Sequence, residues 1–214
     1  MPSLDKADEK TEFGRTGILN AAARLFRQNG YAAVSLRAIA QAAGIKAGSI
    51  YYHFASKDAV VTEILDAGIV SVHEKVRAAV EALPANAPAE TIIRAAIYGH
   101  LRALLEYGDY TSANVRIFGQ VPMAVRDANL PVRRAYEKYL DDLLSGLQAA
   151  GTIRPGVNIS RLRLLLIGAL NATLEWFDPE QGGVEALADD YTNIFLHGIR
   201  PTPEPPHEPY HLAD

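Results

Sequence analysis

The chain has 214 residues, 49% of them hydrophobic and 21% charged, with a net charge of −4 and no cysteine. A chain of this size and composition can bury a real core, so disorder as its main state is excluded. The lack of thiols removes disulfide scaffolds, thiolate zinc sites, iron–sulfur clusters and cysteine nucleophiles together.

The longest uncharged stretch of the carboxyl half, Leu164–Leu174, is about half of the roughly 20 apolar residues that a bilayer helix needs. The opening residues are polar rather than signal-like, so a soluble, cytoplasmic protein with no membrane partner is expected. The charges are unevenly placed. From Phe13 to Lys57 there is no Asp or Glu, while Arg15, Arg24, Arg27, Arg37, Lys46 and Lys57 contribute +6, which leaves 15 bases against all 25 acids elsewhere. A block without acids inside an acidic chain suits a surface that sits against phosphates, where each base releases condensed counterions.

Apolar residues recur at spacings of three and four almost throughout, and no stretch alternates as a strand would, so an all-α fold of about nine helices is expected. The first helix runs from about Glu12 to Gln28 on a stripe of Ile18, Leu19, Ala22, Leu25 and Phe26, and stops at Asn29–Gly30. Ser35 caps a short second helix to about Ala43. A third runs from Lys46 or Ala47 to Phe54. Ser56 caps a long fourth helix, with Asp58 in its first turn, that continues to the linker Pro84–Pro88.

Further helices are expected over about Ala89–Tyr107 and Thr111–Gly119, then as a pair broken near Pro122 and Pro131 before a long stretch stopping at Gly151. The last two cover Ser160–Phe177, apolar nearly all round, and Gly183–Gly198, with Val184, Leu187, Ala188, Tyr191, Ile194 and Phe195 on one face. Two such helices could pack against a twin subunit. The Pro-rich residues 201–214 are expected to form an extended tail, where Pro209 between His207 and His211 argues against a helical metal site. No metal and no cofactor are expected.

Ala40, Gly44 and Ile50 have the spacing of a helix-turn-helix: a small residue where two helices cross, a glycine for positive φ in the turn, and an apolar plug. Lys46, Ala47, Gly48 and Ser49 then occupy the amino end of the third helix, the part that enters a major groove. Tyr51 and Tyr52 point about 100° apart on a helix, so one is expected to pack inward and the other to reach a phosphate. His53 is expected at the surface, donating to phosphate. Ser35 with the start of the second helix offers an anion site, and Arg37 and Lys57 add charge.

The residues Ile18–Phe26, Gly30–Tyr31, Val34–Ala40, Ala43–Ile45, Gly48–Phe54 and Ser56–Asp58 resemble the amino-terminal domain of tetracycline-repressor-type (TetR-family) transcriptional regulators. The resemblance covers about residues 12 to 70. It implies a homodimer that binds a palindromic double-stranded DNA operator through a three-helix head, a carboxyl-terminal domain for a small-molecule effector, and a dimer bundle built from the last two helices. The domains are then 12–57, 58–200 and the tail 201–214. More weakly, Gly168–Asp178, Leu187–Tyr191 and Phe195–Gly198 resemble a subgroup that senses acyl-coenzyme A thioesters and related lipid- or steroid-breakdown intermediates.

Polar and aromatic residues on apolar helices are the candidates for an effector cavity: His73, Tyr98, His100, Arg102, Tyr107, Asn114, Phe118, Asn171, Glu175 and Trp176, with Tyr110 and Met123 beside them. Asn171 and Glu175 stand one turn apart on the most apolar helix and need a partner there or across a dimer interface. Arg102 and Arg116 could meet an anionic effector. The expected function is a repressor released from its operator by a small hydrophobic or acyl-CoA-like molecule. The alternative is a DNA-binding activator or regulator without an effector. None of the common hydrolase, metalloprotease, dinucleotide or Walker motifs is present, so an enzyme is not expected.

Overall fold

The computed structural model describes the backbone of residues 4–106 and 108–199 and the side chains of residues 14–106 and 108–197. Within these, every regular element is helical. α1 spans Leu4–Ala33 and is kinked at Gly30, whose φ of 75° a side chain would strain. The stop expected there is a kink followed by one further turn, because Gly30 takes positive φ without ending the hydrogen-bonded chain. α2 spans Leu36–Ala42 and is capped by Ser35, whose Oγ accepts from the Ala38 N–H at 3.2 Å. A 3₁₀ segment, Ala47–Tyr52, stands where a third α-helix was expected. α3 spans Lys57–Glu81, capped by Ser56, whose Oγ accepts from the Ala59 N–H at 3.1 Å.

α4 (Ala89–Leu105), α5 (Asp109–Ile117), α6 (Met123–Ala149), α7 (Ile159–Ala172) and α8 (Val184–Ile199) follow, with a 3₁₀ turn over Thr173–Glu175. With the 3₁₀ segment Ala47–Tyr52, the described chain shows the nine helices the periodicity calls for. Pro131 does not break α6, contrary to the expected pair. It removes the N–H that would bond the Asp127 carbonyl, but both residues are exposed and water can satisfy that carbonyl. The tail lies outside the described residues. No described helix is long and apolar enough to cross a membrane.

Three apolar clusters hold the molecule together. The first contains Ile18, Phe26, Ile39, Ile50 and Phe54 from the head. It continues without interruption into Ile64 and Leu65 of α3, Ala113 and Ile117 of α5, and Val125 of α6. The second joins α4, α6, α7 and α8 around Ile97, Leu144, Leu166 and Leu196. The third lies between α3, α4 and α6 around Val72, Val76, Tyr136 and Leu140. α3 therefore passes from the head core into the body core as one rigid rod.

α6 and α7 are also tied by charge. The buried Arg163 guanidinium donates to Asp141 at 2.8 Å and lies 3.6 Å from Glu137. Truncating a largely desolvated partner strands the acids, so Arg163→Ala is expected to lower stability by about 2–3 kcal/mol in urea unfolding. A loss below about 0.5 kcal/mol would mean the pair is solvated like an ordinary surface bridge.

Candidate nucleic-acid interface and effector sites

The segment expected to enter the groove is built from buried anchors and an exposed rim. Gly44, at φ 70°, makes the turn. The Ile45 N–H returns to the Ala40 carbonyl at 3.0 Å, and Ala40, Ile50 and Phe54 are almost fully buried. Between these anchors Lys46, Ala47, Gly48, Tyr51 and Tyr52 face solvent and Ser49 is half-buried; Ser35 and Arg37 are exposed nearby in sequence. The expectation that one tyrosine packs inward is corrected. Tyr51 is 63% and Tyr52 89% exposed, because at three residues per turn the inward side of the segment is taken by Ile50 and the next two residues fall about 120° to either side of it.

Two other expected contacts change. His53 is half-buried rather than at the surface, close against Gly14, and its Nδ1 is buried without a hydrogen-bond partner. Lys57 turns inward. Its ammonium donates to the Tyr31 carbonyl and sits 3.8 Å from the Tyr31 ring centroid, and burial lowers its pKa. Tyr31 itself is a junction that the sequence reading missed. Its N–H donates to Gln120 Oε1 at 2.9 Å and its hydroxyl to Asp58 at 2.8 Å; burial first, then this bond, raises the phenol pKa. The positive-φ glycine just before Tyr31 was the available signal.

The acid-free block is not acid-free in space. Arg15 forks onto Glu63 of α3 and lies 4.6 Å from the Phe54 ring, and Arg27 bonds Asp109 at 2.8 Å. These cations fasten the head to the body. Arg24, Arg37 and Lys46 are exposed, and no ion pair is found for them among the described residues. They are the part of the +6 block still available to phosphates.

The expected effector residues do not share one cavity. Tyr98 and Arg102 line a groove of about 540 Å³ between α3 and α4, with Lys75, Ala79, Arg94 and Gly99 among the residues not foreseen. Glu175 lines a larger groove of about 970 Å³ that reaches from Arg27 and Gly30 of α1 to Phe177, with Arg116 3.6 Å from its carboxylate. Asn114 and Phe118 meet around Arg133: the Asn114 amide donates to the Leu65 carbonyl at 2.7 Å, Arg133 donates to Asn114 Oδ1 at 3.0 Å, and the guanidinium stacks 3.8 Å over Phe118. Tyr110 bonds Asn20 at 2.7 Å, Met123 is 75% exposed, and Tyr107 lies outside the described residues.

His100 and Asn171 meet in the body core, and Tyr136 links His100 to His73. His100 Nδ1 lies 2.8 Å from the Tyr136 hydroxyl and Nε2 lies 3.1 Å from Asn171 Oδ1; His73 packs against the Tyr136 and Tyr139 rings. Burial pushes the His100 pKa down to about 4, so the ring is neutral near pH 7. Asn171 Oδ1 can only accept, so Nε2 carries the proton and Nδ1 accepts from Tyr136. Asn171 thus finds its partner within the chain.

α7 is not covered all round. Leu164, Leu165 and Trp176 are 61%, 64% and 56% exposed, with Gly168 and Ala172 open between them. On α8, Ile194 is 69% exposed and leaves the stripe expected for it, while Thr192 and Leu196 are buried instead.

Comparison with known proteins identifies the family. The family description "Bacterial regulatory proteins, tetR family" matches residues 18–64, and "Tetracyclin repressor-like, C-terminal domain" matches residues 86–199. The HTH-type transcriptional repressor KstR2 of Rhodococcus jostii is 30% identical over 195 residues, covering 86% of this chain and 90% of that one. Among solved structures, the TetR-family regulator PfmR of Thermus thermophilus is 25% identical, with a TM-score of 0.73 over 86% of this chain and 96% of that one. AibR, solved with isovaleryl coenzyme A and operator DNA, shares the fold at 21% identity and a TM-score of 0.75, over 85% of this chain and 97% of that one. With a carboxyl-terminal family match over more than half its length and a relative this similar across most of it, the chain belongs to the TetR family of transcriptional regulators.

Proposed function

We propose that the protein is a dimeric repressor that holds a palindromic operator through residues 46–53 of each protomer and releases it when a small molecule enters the body. The observation that carries this reading is the exposed rim of the recognition segment, Lys46 to Tyr52, clamped by buried Ile50 and Phe54. In this reading 12–57 is the reading head and 58–200 the sensing and dimerising body, with α3 coupling the two. Half-sites one helical turn apart, roughly 34 Å, require the dimer to hold its two heads at a set distance. An effector that favours another spacing lowers DNA affinity by its differential affinity for the two states.

The exposed Leu164, Leu165 and Trp176 of α7, with Ile194 of α8, supply an apolar patch for the twin subunit. The groove between α3 and α4 has the volume of a small-molecule site and touches the coupling helix directly. Relatives described as a transcriptional repressor, and as a regulator solved with isovaleryl coenzyme A and operator DNA, support repression and an acyl-CoA-like effector.

The test is fluorescence anisotropy on a duplex selected from a randomised library. Lys46→Ala and Tyr52→Ala are each expected to weaken binding by about 1–2 kcal/mol, roughly five- to thirtyfold, with unfolding unchanged, since both side chains are free of the core. Wild-type affinity in both variants would overturn the assignment of this segment to the groove.

A further inference from the structure

We propose that Tyr31, gripped by Lys57 and Asp58, is the positioning residue of the head and sets how well residues 46–53 discriminate between DNA sequences, without itself touching a base. The inference rests on the groove reading above and assigns a residue outside the groove to its specificity.

The segment has little of its own to orient it. Its closing backbone bonds are local, from the Ser49 N–H to the Lys46 carbonyl at 2.8 Å and from the His53 N–H to the Ile50 carbonyl at 3.0 Å. Ile50 and Phe54 hold it to the head core by burial, which is non-directional. Reading base edges asks for more, since each contact needs donors and acceptors to meet in one register. Only Ala55 and Ser56 separate Phe54 from α3, so the place and direction in which α3 starts pass straight to the segment.

Lys57 and Asp58, which open α3, grip opposite ends of Tyr31. The Lys57 ammonium donates to the Tyr31 carbonyl in the last turn of α1, where the helix dipole favours a cation, and lies 3.8 Å from the Tyr31 ring centroid. It also lies 5.9 Å from the Phe26 centroid, and the two rings stack with centroids 6.3 Å apart. The Asp58 carboxylate, in the first turn of α3, accepts from the Tyr31 hydroxyl at 2.8 Å. A cation and an anion bound to two ends of one residue fix the direction of α3 as well as its distance from α1. Bonds to charged groups are also the stronger kind.

The body holds the same tyrosine. Its N–H donates to Gln120 Oε1 at 2.9 Å, and the Gln120 amide in turn donates to the Arg116 carbonyl of α5 at 2.9 Å. Gly30 makes room for this approach, since a Cβ there would come within 2.9 Å of Gln120 Oε1. Tyr31 thus receives α1, the start of α3 and the end of α5 at one point. Lys57 is half-buried in that junction, unlike the exposed Arg24, Arg37 and Lys46 that can meet phosphates. Losing the junction therefore turns the segment relative to the bases and leaves the phosphate attraction intact.

Anisotropy titrations of the full chain against the selected duplex and a scrambled duplex of equal length, each at several salt concentrations, test the proposal. Tyr31→Phe removes one hydroxyl and is expected to weaken binding to the selected duplex by about threefold or more. Lys57→Met removes the ammonium and is expected to weaken it by about tenfold or more. In both, binding to the scrambled duplex stays within about twofold of wild type, and the slope of log affinity against log salt is unchanged because no phosphate contact is lost. Lys46→Ala supplies the contrast: both duplexes weaken together and the slope falls by about 0.9. Circular dichroism checks folding, and where Lys57→Met does not fold, Tyr31→Phe carries the same test. Equal weakening on both duplexes, a slope reduced by about 0.9 in Lys57→Met, or wild-type discrimination with only stability lowered overturns the proposal. Lys46→Ala without effect on either duplex overturns the groove reading and this inference with it. The expected loss in Lys46→Ala beside unchanged discrimination in the other variants overturns the positioning alone.

Discussion

Lowering the pH from about 6.5 to about 4 is expected to remove roughly 3 kcal/mol of stability through His100 alone. The unfolded chain binds a proton at this imidazole near pH 6.5, whereas the folded chain resists until about pH 4 because the ring is buried with no carboxylate beside it. Between those values the unfolded state holds more protons, so stability falls as pH falls. Above about 6.5 both states are neutral and the contribution is complete. The protonated ring would also lose its acceptor at Nδ1, and the Tyr136 hydroxyl would lose its partner. His73 is shifted down as well, first by burial and then by Arg77, and adds to the slope with the same sign. His100→Gln, which cannot titrate, isolates the His100 share. Urea unfolding across this pH range is expected to show a lower plateau for the variant and a shallower fall. Parallel curves for the two proteins would show that His100 does not stay neutral in the fold.

The second large effect concerns assembly. If the protein is the dimer proposed above, Leu164→Glu with Leu165→Glu is expected to abolish it at micromolar concentration and to lower operator affinity by more than about a hundredfold. Each leucine still exposes more than half of its surface in the protomer. A twofold axis uses every residue twice, so four leucines would lose burial together. At about 1–1.5 kcal/mol each, that is roughly 4–6 kcal/mol, or a 10³- to 10⁴-fold rise in dissociation constant before the four introduced charges are counted. The weaker DNA binding follows because two half-sites held by one dimer are read together and two monomers read them separately. Light scattering and anisotropy on the same samples check both parts. A variant that stays dimeric would place the twin subunit on another surface.

The grooves show where sequence and structure part company. Periodicity identified Tyr98 and Arg102 as polar residues on an apolar helix, and both line the groove between α3 and α4. Their counterparts Lys75 and Arg94 carried no local sign, because a lysine and an arginine on amphipathic helices look like ordinary solvated residues until the helices cross. His73, His100 and Asn171 were grouped as cavity lining on the same pattern, yet His100 closes on Asn171 and Tyr136, and His73 on Tyr136 and Tyr139. A buried polar group needs a partner, and the sequence states that need without saying where the partner lies.

Short-range chemistry made the rest legible. The caps at Ser35 and Ser56, the turn at Gly44, the anchors Ala40 and Ile50, and the helical class all depend on residues within a turn or two of each other, so the sequence alone determined them. Tertiary structure decided which cations remain available to DNA, since Glu63 and Asp109 reach Arg15 and Arg27 from distant helices. It likewise decided that both Tyr51 and Tyr52 face outward, that Lys57 folds onto Tyr31, and that α6 runs through Pro131. Charge and burial are set by neighbours in space, and those neighbours lie tens of residues away along the chain.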